Sequence, residues 1–212
     1  MFEERIFYSE KRQGEFLKYL YFKDGIGEDL PLIVHLHGSG SRGNELSQMG
    51  IAGPLAEITN GRRLGAVFVA PQCHCDKWFE LFDVLLEFID TMRNSEGIDK
   101  TRVYLTGISM GAYGAWETAM SRPDWFAALV AVCGGGMYWN AGKLKDLPIW
   151  AFHGALDNVV YPEESIKMVS AVNRNGGNAK ITIYPHTDHS AWVPAFQEDE
   201  MWNWMFSQKR SD

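Results

Sequence analysis

The β-type run Val103-Tyr104-Leu105-Thr106 meets Gly107-Ile108-Ser109-Met110-Gly111, and a small-residue helical pattern follows at once. This junction constrains the fold more than any other stretch of the chain. A strand that passes into a helix this abruptly leaves no room for side chains at positions 107 and 111, and glycine stands at both. Such a nucleophile elbow lifts the Ser109 hydroxyl above the carboxyl end of a sheet. The helix that starts beneath it turns its positive end toward any negative charge that develops there. Gly-x-Ser-x-Gly alone arises readily in a chain with 21 glycines. The strand before it and the helix after it make it specific.

The rest of the chain repeats that alternation. Arg5–Tyr8 and Phe16–Phe22 read as an antiparallel hairpin turning at Gln13-Gly14-Glu15. Leu32-Ile33-Val34-His35-Leu36 and Ala66-Val67-Phe68-Val69-Ala70 are continuous apolar runs, as strands buried on both faces require. Leu81, Leu85, Phe88, Ile89 and Met92 share one face of a 3.6-residue period. Residues 127–132, 148–152 and 180–184 read as strands, a helix starts at Pro162 and ends before Gly176-Gly177, and one closing helix is expected over 191–207. The expected fold class is α/β, a mostly parallel central sheet with helices on both faces and an antiparallel start. Residues 1–212 are read as one domain. About fifteen residues separate the strands at 127–132 and 149–152, too few for a lid domain.

Bulk properties exclude several classes of function. The net charge is −7, with no basic run or stripe, so no nucleic-acid partner is expected. Met1-Phe2-Glu3-Glu4-Arg5 carries charge where a signal peptide needs an apolar core, and no stretch approaches a membrane span. Three cysteines, with Cys73 and Cys75 poorly spaced to bridge, suit a reducing compartment. The expectation is a cytoplasmic protein with no membrane partner and an open oligomeric state.

A serine hydroxyl needs a base to take its proton, and the base needs a carboxylate to fix its tautomer. After an elbow of this kind the partners follow in the order acid, then histidine. Asp157 stands just past the strand ending at Phe152, where ligands of open α/β sheets gather. His189 lies in the loop after the last strand. His186 competes with it, but directly follows Pro185 at the strand end. An oxyanion intermediate needs two backbone donors. The Met110 amide is one candidate. The Ser39 amide, in the small-residue loop His37-Gly38-Ser39-Gly40, is the other, with Gly40 as the fallback. Trp192, three residues after His189, and Trp78 are the aromatic candidates for lining a substrate pocket, among a group that includes Tyr138, Trp139 and Tyr161.

Three features point elsewhere and do not hold. Gly38-Ser39-Gly40-Ser41-Arg42-Gly43 matches a dinucleotide fingerprint, but the next strand ends in Ala70-Pro71-Gln72, without the acid that would bind a ribose. Cys73-His74-Cys75 has no second ligand cluster, so no metal site is expected. His35 and His153 read as structural histidines of strands.

His37–Glu45, Pro71-Gln72-Cys73, Gly107–Gly114, His153–Asp157 and His189-Ser190-Ala191-Trp192 stand in order along the chain. Together they resemble the compact α/β-hydrolases of the phospholipase/carboxylesterase and dienelactone hydrolase-like branch, which includes relatives of feruloyl and acetyl xylan esterases. The resemblance covers about residues 30–205. It implies Ser109 as nucleophile, Asp157 as acid, His189 as base, the amides of Ser39 and Met110 as oxyanion hole, and no cofactor. Dienelactone hydrolases proper use a cysteine nucleophile, so Ser109 argues for the esterase side. The expected partner is a small-molecule ester, short-chain or aromatic, with esters of plant carbohydrate as one source. The alternatives are a peptidase or amidase with the same three residues, and a binding protein of this fold without turnover.

Overall fold

The computed structural model describes residues 1–49 and 52–211. One sheet of eight strands organises the chain: β1 (Glu3–Tyr8), β2 (Phe16–Lys23), β3 (Leu30–Leu36), β4 (Val67–Pro71), β5 (Ile98–Ile108), β6 (Ala128–Val132), β7 (Ile149–Gly154) and β8 (Ala179–Tyr184). Their spatial order is β1-β2-β4-β3-β5-β6-β7-β8. β1 pairs antiparallel with β2, and β2 antiparallel with β4. Every later pairing is parallel. The expected α/β architecture with an antiparallel start is therefore present.

Helices α1 (Pro54–Thr59), α2 (Phe82–Arg93), α3 (Met110–Ser121), α4 (Glu163–Arg174), α5 (Trp192–Gln197) and α6 (Asp199–Ser207) cover the two faces. Side chains along a strand alternate between faces, and the central strands use this to feed two cores. Leu32, Val34, Leu36, Leu129, Ala131, Ile149 and Ala151 join the core under α2, α3 and α4. Ile33, Phe68, Val130, Val132, Trp150 and Phe152 join the core under α1, α5 and α6. Both faces are apolar, which is why these strands read as unbroken apolar runs.

The sequence expectation differs from the structure at the C-terminus. The single helix over 191–207 is two helices, broken at Glu198 (φ −72°, ψ 116°). The break lets the buried Trp202 indole donate to the Phe196 carbonyl at 2.8 Å, at the end of α5. The bend keeps Phe196, Met201 and Met205 on one core. Among the described residues no helix is long and apolar enough to cross a membrane.

Candidate active site

β5 delivers Ser109 through the expected tight turn. Ser109 adopts φ 52° and ψ −119°, a left-handed conformation that costs a non-glycine residue about 1–3 kcal/mol. Its amide donates to the Val132 carbonyl at 2.9 Å, and its carbonyl accepts from Ala112 at 2.8 Å and Tyr113 at 3.2 Å. These bonds hold the turn between β6 and α3. A methyl group at Gly107 would run into the Gly111 backbone, and one at Gly111 into the Leu36 carbonyl. The glycines are required by this close approach.

Ser109, His189 and Asp157 converge from three loops at the carboxyl end of the sheet. Ser109 Oγ lies 2.9 Å from His189 Nε2, and His189 Nδ1 lies 2.7 Å from Asp157 Oδ2. Asp157 Oδ1 accepts from the amides of Val159 and Val160, both at 2.9 Å. Burial alone would raise the Asp157 carboxyl, but the bonds from His189 and these two amides outweigh it and hold the group below its ordinary range. The acid and base loops touch because position 154 has no side chain: a Cβ there would meet the carbonyls of Thr187 and Asp188. His186 is exposed, away from this chain of bonds.

Two further residues lie near the acid: His153, read from the sequence as structural, and Cys133, for which the sequence suggests no role at the site. The buried His153 ring has Nε2 2.9 Å from the Val160 carbonyl and 3.2 Å from Asp157 Oδ2, and Nδ1 2.7 Å from Ser165 Oγ. Ser165 donates its own proton to the Gly134 carbonyl at 2.7 Å, so both His153 nitrogens face acceptors. The ring ties α4 to the back of the acid loop. Cys133, in a left-handed turn (φ 46°), brings its sulfur within 4.8 Å of the Asp157 oxygen and the His189 nitrogen. Burial pushes its thiol well up, so it stays protonated. No local pattern around Cys133 signals that position, because only the meeting of β6 with the two later loops creates it.

The candidate oxyanion donors lie on the other side of Ser109. Among the described residues no hydrogen-bond acceptor is recorded for the amides of Met110, Ser39 or Gly40. Gly38 approaches so closely that its Cβ would stand 3.5 Å from Ser109 Cβ. The loop is held from behind. His37 Nε2 accepts from the Cys73 amide at 2.9 Å, which makes Nδ1 the donor to the Gly38 carbonyl at 2.7 Å. Arg42 Nε reaches the Ser39 carbonyl at 3.0 Å, and Gln72 Nε2 reaches those of Ser41 and Glu45 at 3.0 Å. Cys73 donates to the Cys75 carbonyl and His74 stacks on Phe16, so that tripeptide turns its side chains to separate neighbours.

The two tryptophans part company. Trp192 meets His189 edge to face, with centroids 5.5 Å apart, and lines a cavity of about 310 Å³ beside Ser109. Trp78 does not line it, which corrects the expectation. Its side chain is fully buried ahead of α2, with Nε1 donating to the His37 carbonyl at 3.1 Å and the ring against Gly114. It supports the loop from below. Tyr138, Trp139 and Tyr161 are exposed and outside the cavity.

Superposed on a thermostable esterase of known structure, 99% of the chain aligns with a TM-score of 0.85 and 30% identity. The chain has the α/β-hydrolase fold. Residues 136–208, which carry Asp157 and His189, match the prolyl oligopeptidase family. The chain is 26% identical over 136 residues, 58% of its length, to the poly(3-hydroxyalkanoate) depolymerase C of Paucimonas lemoignei. It is 37% identical over 75 residues, 35% of its length, to a bifunctional acetylxylan esterase/xylanase of Neocallimastix patriciarum. It spans 63% of the esterase, 32% of the depolymerase and 11% of the bifunctional enzyme.

Proposed function

We propose that the chain is a serine carboxylesterase acting through an acyl-enzyme. The observation that carries this reading is the unbroken relay from Ser109 Oγ through His189 to Asp157, at 2.9 and 2.7 Å, opening on a cavity. His189 takes the Ser109 proton as Oγ attacks the ester carbonyl. The tetrahedral oxyanion accepts from the amides of Met110 and Ser39. The intermediate collapses, the alcohol leaves with the proton from His189, and water activated by the same imidazole releases the acid. Asp157 stays ionised throughout and holds the Nδ1–H tautomer. These steps need no cofactor.

A cavity of about 310 Å³ is at the small end for ligand sites. It favours short-chain or aromatic acyl groups over long alkyl chains, and esters carried on plant carbohydrate are within this proposal. Acetyl, butyryl, decanoyl, feruloyl and acetylated-sugar esters, run beside a Ser109→Ala control, test it. The reading expects turnover of the short and aromatic esters, abolished in the control, and fails if the control retains it. The prolyl oligopeptidase match favours one second reading, a peptidase with the same three residues. Peptide amides in the same panel decide between them: hydrolysis of amides at rates rivalling esters selects the peptidase.

A further inference from the structure

A groove along the solvent-facing side of α3 shares no lining residue with the cavity beside Ser109. It measures about 500 Å³ and is lined by Phe79, Phe82, Tyr113, Glu117, Gly136 and Met137. Tyr113 and Glu117 stand four residues apart on α3, and so share one face of the helix. Phe79 lies just ahead of α2, Phe82 begins it, and Gly136 and Met137 follow β6. Phe79 is 50% exposed, so the walls hold apolar surface that a ligand would take out of water.

One charge in this lining decides what the ligand is. Glu117 is its only carboxylate, and no lysine, arginine or histidine lines the groove. Among the described residues Glu117 takes part in no ion pair, and its carboxylate accepts only from Ser121 Oγ, at 3.5 Å. Lys167, on α4, is committed to Glu164 at 3.0 Å. Burial, and after it the charges of Glu164 and Asp157, push the Tyr113 hydroxyl up, so the surround of that wall is negative. The groove therefore joins three aromatic rings and a thioether to an unpaired negative charge. Ring faces attract cations, and a thioether is polarisable. A primary ammonium or a guanidinium brings several N–H donors that this lining cannot satisfy. A quaternary ammonium brings none, and its alkyl groups suit apolar walls.

We infer that this groove is a second ligand site, for a quaternary ammonium carrying an aryl group, with Phe79, Phe82, Tyr113 and Met137 as walls and Glu117 as counter-ion. Glu117 lies eight residues beyond Ser109, about 12 Å along α3, so the charge sits well away from the reacting bond. The site stands independently of the esterase reading, and its test needs no turnover.

Two isosteres that differ in charge provide the test: 4-(trimethylammonio)benzyl alcohol and 4-tert-butylbenzyl alcohol. By calorimetric titration of the wild-type protein, the cation should show a Kd about tenfold below that of the neutral isostere. Glu117→Gln should bring the two Kd values together. Phe79→Leu, at a half-exposed position, should weaken the cation about fivefold and the neutral isostere little. Methionine methyl resonances locate the ligand, since Met137 lines this groove and Met49 the cavity beside Ser109. In [methyl-¹³C]methionine-labelled wild-type protein the cation should move the Met137 signal and leave that of Met49 in place, with Met137→Leu and Met49→Leu assigning the two. Equal Kd values for the isosteres in the wild type, no binding of either, or a preference that persists in Glu117→Gln overturns the inference. So does a Met137 methyl that the cation leaves unmoved.

Discussion

The two flanks of Ser109 are built on opposite principles. On the flank formed after β7 and β8, the polar atoms meet each other. Asp157 spends its oxygens on His189, Val159 and Val160, and both His153 nitrogens face partners within the protein. On the flank formed after β3, the amides of Ser39 and Gly40 find no partner among the described residues, although the loop behind them is tied down by His37, Arg42, Gln72 and Trp78. Groups that must keep one geometry through every turnover are satisfied in advance. Groups that wait for a substrate are fixed in place yet left open. A rigid loop with unmet donors is what electrostatic preorganisation requires, since the donors need not reorganise when charge develops.

Breaking the closed flank should have the largest effect. Ser109→Ala, His189→Ala and Asp157→Asn should each lower kcat for ester hydrolysis by roughly 10⁴-fold or more, with circular dichroism unchanged. A residual rate within tenfold of wild type in any of them breaks the relay. Gly154→Ala is the next test. The added methyl has no room against the Thr187 and Asp188 carbonyls, so it should part acid from base. A misplacement of about 1 Å costs on the order of 100-fold in rate, and steady-state kinetics on the folded variant measures it.

Weakening the support of the open flank should do less. Trp78→Phe removes the bond to the His37 carbonyl while leaving the triad contacts alone. Its kcat should fall several-fold with KM little changed, because a loosened loop affects charge stabilisation more than ground-state binding. Equal wild-type kcat would separate Trp78 from the loop's function.

The smallest effect is one of pH. Burial holds His35 at about 3 and His37 at about 4, against about 6.5 for an unfolded histidine. Between those values the unfolded chain takes up protons that the fold refuses. Stability should therefore be full above pH 6.5 and decline as the pH falls toward 4, as read from urea midpoints. His35→Phe should decline less steeply. A wild-type midpoint constant from pH 7 to 4.5 contradicts this.

Much of this contrast is invisible along the chain. The strands were legible because burial on both faces leaves unbroken apolar runs, and the tight turn was legible because its glycines have no substitute. Ser109, Asp157 and His189 could be named from motif, order and position relative to strand ends, and His189 lies within hydrogen-bond reach of both the others. Trp78 was misplaced because its neighbours in sequence do not say which way an indole turns ahead of α2. The break at Glu198 goes with the Trp202–Phe196 contact, which helical periodicity does not encode. α1 is too short for a period to register. His35 reads as a core histidine, and it is buried as one. Only the packing of Met49, Leu55 and Trp192 shows that it also borders a cavity.

Mass spectrometry of protein quenched during turnover of a slowly hydrolysed aromatic ester tests the central claim most directly. The account predicts an acyl adduct on the peptide carrying Ser109, formed and lost at rates that match turnover and absent from Ser109→Ala. Steady hydrolysis with no adduct on that peptide, or with the acyl group on another side chain, would contradict it.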